Sequence, residues 1–86
     1  MKVKTLNGNL NIIGQNLRKF RNEKKISQPE LCKRLDLLGV TMYICDIYEI
    51  EYGKKTVKDF EALAFCKVLD ISLNDLYSDT DKFYEA

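Results

Sequence analysis

The chain has 86 residues, with 14 Lys and Arg against 13 Asp and Glu, a formal net charge of +1, three cysteines and no histidine. That length suits one domain with a small core and leaves no room for a second. It has no apolar run of the roughly 18 residues a membrane helix needs, and MKVKTLNGNLN lacks a signal-peptide core. Cys32, Cys45 and Cys66 are widely spaced, form no Cys-x-x-Cys and have no histidine to join them, so a metal site is not expected. Nor does a Cys or Ser have the usual base beside it, which argues against an enzyme, and no cofactor motif is present. Free thiols suit a reducing, cytoplasmic location.

Residues 1–10 read as a loose N-terminal arm. A first helix is predicted from about Asn11 to Lys24. Ile13, Leu17 and Phe20 recur at helical spacing toward the core, and Arg18, Lys19, Lys24 and Lys25 face out; Arg21 sits at the core edge. Ser27 and Glu30 form a capping box that opens a second helix, Gln28 to about Leu37, in which Pro29 is tolerated because the first turn has no internal acceptors. Leu31 and Leu35 point inward, and Cys32 reads as a small buried residue.

A turn follows around Leu38-Gly39-Val40, with Gly39 able to turn left-handed and Val40 and Met42 tucked beneath it. The residues before the next helix form either another helical turn or an extended loop. A third helix runs from Tyr43 or Ile44 to Tyr52. Ile47 and Ile50 face inward, Ile44, Cys45, Tyr48, Glu49 and Tyr52 outward, and Gly53 suits a left-handed cap. The fourth helix spans about Val57 to Leu69 with Ala62, Phe65, Cys66 and Leu69 as its core stripe, and Asp70 tolerates a left-handed end. Ser72 and Asp75 form a second capping box, opening a short fifth helix with Leu73 and Leu76. SDTDKFYEA, residues 78–86, is an acidic, aromatic tail whose Phe83 and Tyr84 fold back, meet a second copy or fray. The chain is therefore all-α, with five helices in a domain over residues 11–77.

Charge is unevenly laid out. Arg18, Lys19, Arg21, Lys24, Lys25, Lys33 and Arg34 face only Glu23 and Glu30; Asp36 to Tyr52 holds four acids and no Lys or Arg; Lys54, Lys55 and Lys58 follow. Local charge, not the total, decides where a phosphate backbone can lie.

Two short helices joined by a turn, with a third before them, have the layout of a helix-turn-helix. Ile13-Gly14, Leu17-Arg18, Phe20-Arg21, Ile26-Ser27-Gln28, Glu30-Leu31, Leu35, Ile47, Ile50-Glu51, Gly53 and Leu69-x-Ile71-Ser72-x-x-Asp75-Leu76 fall in order over about three quarters of the chain. On these residues the chain resembles the phage-repressor/Cro-like helix-turn-helix family, the xenobiotic-response-element (XRE) regulators. The segment before the third helix is longer than usual in that family, as in a bacterial branch of it.

The resemblance implies a lambda-repressor-like domain that regulates transcription by binding double-stranded DNA. A homodimer on two half-sites about 34 Å apart would place the third helix in the major groove. Ile44, Cys45, Tyr48 and Glu49 would face bases. Arg18, Gln28, Tyr43, Lys54, Lys55 and Lys58 would meet phosphates, with Gln28 at a helix N-terminus that favours anions. Lys2 and Lys4 of the arm could follow the same backbone. An Arg21–Glu51 ion pair would tie the first helix to the third.

The outward face of the third helix points another way. Relatives carry Arg, Ser, Thr, Gln or Asn there, groups that pair with base edges. Here Asp46 and Glu49 would be repelled by phosphates with no local cation to offset them, and Ile44, Tyr48 and Tyr52 make an apolar-aromatic stripe of the kind that marks protein contacts. The alternative is a protein–protein interaction or dimerisation module through Ile44, Tyr48 and Tyr52, with DNA binding weak or lost.

Overall fold

Asn11 starts the helical part of the chain. Its side-chain oxygen accepts from the backbone N–H of Ile13 at 3.1 Å and of Gly14 at 2.8 Å, so residues 11–13 form the capping turn and α1 runs Gly14–Glu23, starting later than Asn11. The computed structural model describes residues 4–84. Lys25, at φ +57°, turns the chain out of α1, and α2 spans Gln28–Leu37 as the sequence predicts. Ser27 Oγ accepts from the Glu30 N–H at 3.1 Å. The return half of the box is absent: the Glu30 carboxylate accepts from Arg34 Nε at 3.0 Å instead, a pair one helical turn apart.

Gly39, at φ +82°, ends α2 in the left-handed conformation. The open question of the linker is resolved toward an extended loop: residues 40–43 are not helical, Met42 is buried and Val40 packs against the core. α3 covers Ile44–Glu51, and Asp46 Oδ2 accepts from the Tyr43 N–H at 2.9 Å to cap it. α4 covers Asp59–Leu69, starting later than Val57. The reason is that the Lys58 N–H donates to Glu61 Oε1 at 2.8 Å, making Lys58 the cap. Asp70 takes φ +54°. Ser72 and Asp75 exchange both capping hydrogen bonds, at 3.0 and 3.1 Å, ahead of α5, Leu73–Leu76. A 3-10 helix, Thr80–Tyr84, closes the described chain.

The helices enclose one core: Ile13, Leu17, Leu31, Leu35, Ile47, Ile50, Phe65, Leu69 and Leu76 are fully buried, and each contributes about 1.5–3 kcal/mol relative to exposure. Phe20 and Cys32 are only half-buried at its edge, and Leu73 is exposed because the single turn of α5 can bury one leucine, Leu76. α3 packs on α1 and α2, while α4 packs on α1, α2 and α5. α1 approaches α3 closely at one point, where a Cβ on Gly14 would overlap the Ile50 carbonyl.

The two ends of the domain are tied to it and to each other. Leu6 and Asn9 form an isolated antiparallel bridge, and the Leu10 N–H donates to the Gly53 carbonyl at 2.8 Å. Asn7 Nδ2 donates to the Phe83 carbonyl at 2.6 Å, Lys82 Nζ to Gln15 Oε1 at 3.0 Å, and Asn16 Nδ2 to the carbonyls of Leu76 and Ser78 at 2.8 and 2.7 Å. The loose-arm reading thus does not hold for residues 4–10, and of the readings open for the tail its fold-back is the one seen, with Phe83 half-buried and Tyr84 exposed. Lys2 lies outside the described residues, and Lys4 is exposed. No described helix is long and apolar enough to cross a membrane.

Candidate nucleic-acid interface

The orientation of α3 is set by a charged cluster at its C-terminal end. Glu51, with a side chain 1% exposed, accepts from Arg21 Nε at 2.7 Å on Oε2 and from Arg21 Nη2 at 3.1 Å on Oε1. Arg21 Nη1 also donates to the Ile26 carbonyl at 2.9 Å, and Gln28 Nε2 donates to Glu51 Oε1 at 3.3 Å. The expected pair between α1 and α3 thus forms, and it includes the first residue of α2. Gln28 is half-buried and its amide faces Glu51, so part of its donor capacity is used inside the protein. Such a fork fixes geometry more than it stabilises, because desolvation offsets most of the attraction.

With Ile47 and Ile50 in the core, the opposite face of α3 is open. Ile44, Cys45, Tyr48 and Glu49 are all exposed, as are Tyr43 at the N-cap and Tyr52 at the C-cap. The Tyr48 and Tyr52 rings lie 4.7 Å apart at 40°, and the Arg18 guanidinium lies 5.3 Å from the Tyr52 ring centre, a cation–π contact. Arg18, Tyr52 and Tyr48 therefore form one ladder from α1 onto α3. Beside it, α1 and the end of α3 border a groove of about 460 Å³ with Arg18 and Lys19 on one wall and Tyr52 and Gly53 on the other.

Two of the acids on α3 behave differently from each other. Asp46 is half-buried, caps the helix, and has Lys55 Nζ 3.5 Å from its Oδ1. This corrects the reading that no cation offsets it, and it engages Lys55, one of the residues assigned to phosphate. Glu49 is exposed and has no ion pair among the described residues. Lys54 is exposed and likewise without an ion pair there. Lys58 is exposed at the N-cap of α4, its Nζ 6.0 Å from the Phe60 ring centre.

Asn11 was missed as a site residue. Besides capping α1, its Nδ2 donates to the Ile50 carbonyl at 3.0 Å and the Lys55 carbonyl at 2.8 Å, which holds the lysine loop against the end of α3. The available signal was an Asn three residues ahead of Gly14, a helix-capping pattern. Burial pushes the Cys32 and Cys66 thiols up, with Asp46 adding to the shift at Cys32 and Asp75 at Cys66; Cys45 is exposed. Among the described residues no group of His, Cys, Asp or Glu side chains is arranged to hold a metal ion. Comparison with protein-family models, curated proteins and solved structures gives no match.

Proposed function

We propose that this chain is a sequence-specific DNA-binding transcriptional regulator of the Cro/repressor type, a helix-turn-helix protein that places α3 in the major groove. The observation that carries the reading is the geometry of α3. It is a short helix with one face buried and its whole opposite face free, pinned at its C-terminal end by Arg21, Gln28 and Asn11 and flanked by Lys54, Lys55 and Arg18. A reading helix needs that rigidity, because a displaced helix loses its base contacts together. Ile44 offers a methyl contact for thymine, Glu49 an acceptor for a cytosine amino group, and Tyr43 a hydroxyl for phosphate. The reading entails a binding protein, not an enzyme, that works in the cytoplasm and as a homodimer on two half-sites.

A second reading is favoured by one specific observation. Ile44, Tyr48 and Tyr52 form an exposed apolar-aromatic stripe, with Tyr48 52% exposed, and such a stripe also suits a protein partner. Selection of bound sequences from a random duplex pool, at low and moderate salt, separates the two. Enrichment of a palindromic site supports the regulator and supplies the half-site spacing. No binding even at low salt overturns it and moves the function to the stripe.

A further inference from the structure

A second surface lies on α4, which packs on α1, α2 and α5. Phe60 and Leu63 are 56% and 45% exposed, and with Lys67 they follow helical spacing along one face. Beside them Leu38 and Val40, from the loop after α2, border an apolar groove of about 430 Å³. Large apolar side chains clustered around a groove mark a contact surface more than a scatter of exposed leucines does. None of these residues belongs to the Ile44, Tyr48 and Tyr52 face.

We propose that this α4 face binds a second copy of the chain, the two α4 helices packing antiparallel about a two-fold axis at Leu63. The charges select that occupant and that direction. Asp59 and Lys67 lie four residues to either side of Leu63, on the same row of the helix surface, both exposed and neither in an ion pair among the described residues. In an antiparallel pair centred on Leu63, Asp59 of each copy meets Lys67 of the other, so the patch is complementary to itself, as a two-fold contact requires. A parallel pair would set Asp59 against Asp59 and Lys67 against Lys67. Phe60 of each copy then comes level with the partner groove bordered by Leu38, Val40 and Leu63, and the Lys67 stem covers the ring. The proposal supplies the contact for the homodimer of the preceding section, yet it involves no residue of α3 and stands whether or not the protein binds DNA.

Sedimentation equilibrium of the full chain without DNA, from micromolar to submillimolar concentration, tests it. A concentration-dependent dimer is expected, weak because the patch is small. Leu63→Glu sets two carboxylates on the axis and raises the dimer Kd by about a hundredfold or more, with the monomer still folded because residue 63 is exposed. Asp59→Lys alone and Lys67→Asp alone each weaken self-association several-fold. Mixed, those two variants form a heterodimer with both ion pairs restored, tighter than either homodimer. A wild type that stays monomeric throughout, an L63E protein as dimeric as wild type, or a D59K and K67D mixture no tighter than its components would each overturn the proposal. Loss of DNA binding with the dimer intact would sink the regulator reading alone.

Discussion

Gly14 of α1 meets the Ile50 carbonyl of α3 with no room between them for a methyl group. The carbonyl is not free to yield, since Asn11 Nδ2 holds it at 3.0 Å. Gly14→Ala is therefore expected to destabilise the domain by about 1–3 kcal/mol through overpacking, against the roughly 1 kcal/mol that Ala normally gains over Gly in a helix. Urea denaturation reads the sign directly. A gain in stability would mean that α1 can slide away from α3 at no cost, and that the close approach does not position α3.

The Arg21–Glu51 fork is nearly dry, with side chains 11% and 1% exposed. Glu51→Gln leaves the guanidinium without its charge partner, and a loss of about 3–5 kcal/mol is expected. Replacing both residues by methionine removes the stranded charge together with its partner, so the double variant should be more stable than E51Q. The pair of measurements is a denaturation series on the singles and the double. A Glu51→Gln protein within about 0.5 kcal/mol of wild type would show that water reaches the cluster and that it does not restrain α3.

Periodicity and caps carried most of the fold. Ile13, Leu17, Leu31, Leu35, Ile47, Ile50, Phe65 and Leu69 announce their inward faces by helical spacing, and all are buried. Ser27, Asp70 and the Ser72/Asp75 box mark ends where the chain does turn. What stayed hidden was long-range and side-chain specific. Glu30 chose Arg34 over Ser27, and Asp46 turned out to be a cap paired with Lys55, because several partners lie within reach and sequence spacing does not rank them. Asn7 to Phe83 spans nearly the whole chain, a contact no local pattern encodes. At the candidate site the outward residues of α3 were readable from the inward ones, whereas the Arg18–Tyr52–Tyr48 ladder depended on how α1 packs on α3.

The three thiols should differ in reactivity and in their effect on stability. Thiolate is the reactive form, so iodoacetamide on the folded protein is expected to modify exposed Cys45 first and Cys32 and Cys66 slowly, burial having raised their thiol values. The folded chain then holds those two protons more tightly than the unfolded chain does. Their contribution is intact below about 9, the ordinary thiol value, and is lost as pH rises past it toward the folded values. Denaturation from about pH 8 to about pH 10.5 should show stability falling, and falling less steeply in a C32A/C66A protein. Equal slopes would mean that neither thiol is shielded in solution.

Lys54 and Lys55 separate two ways a loop lysine can serve phosphate. Lys54 has no ion pair among the described residues, so under the regulator reading Lys54→Ala loses one phosphate contact. The slope of log affinity against log salt then falls by about one. Lys55 lies 3.5 Å from Asp46, so Lys55→Ala removes a cation and also uncovers a carboxylate at the start of α3. Its loss of DNA affinity should exceed that of K54A, and Asp46→Asn in the K55A background should recover part of it while keeping an oxygen to cap α3. Binding isotherms at several salt concentrations for K54A, K55A, D46N and K55A/D46N check the scheme. Equal losses for the two lysines with no recovery from D46N would mean that Asp46 does not face the duplex, and unchanged affinity in both would remove the loop from the interface.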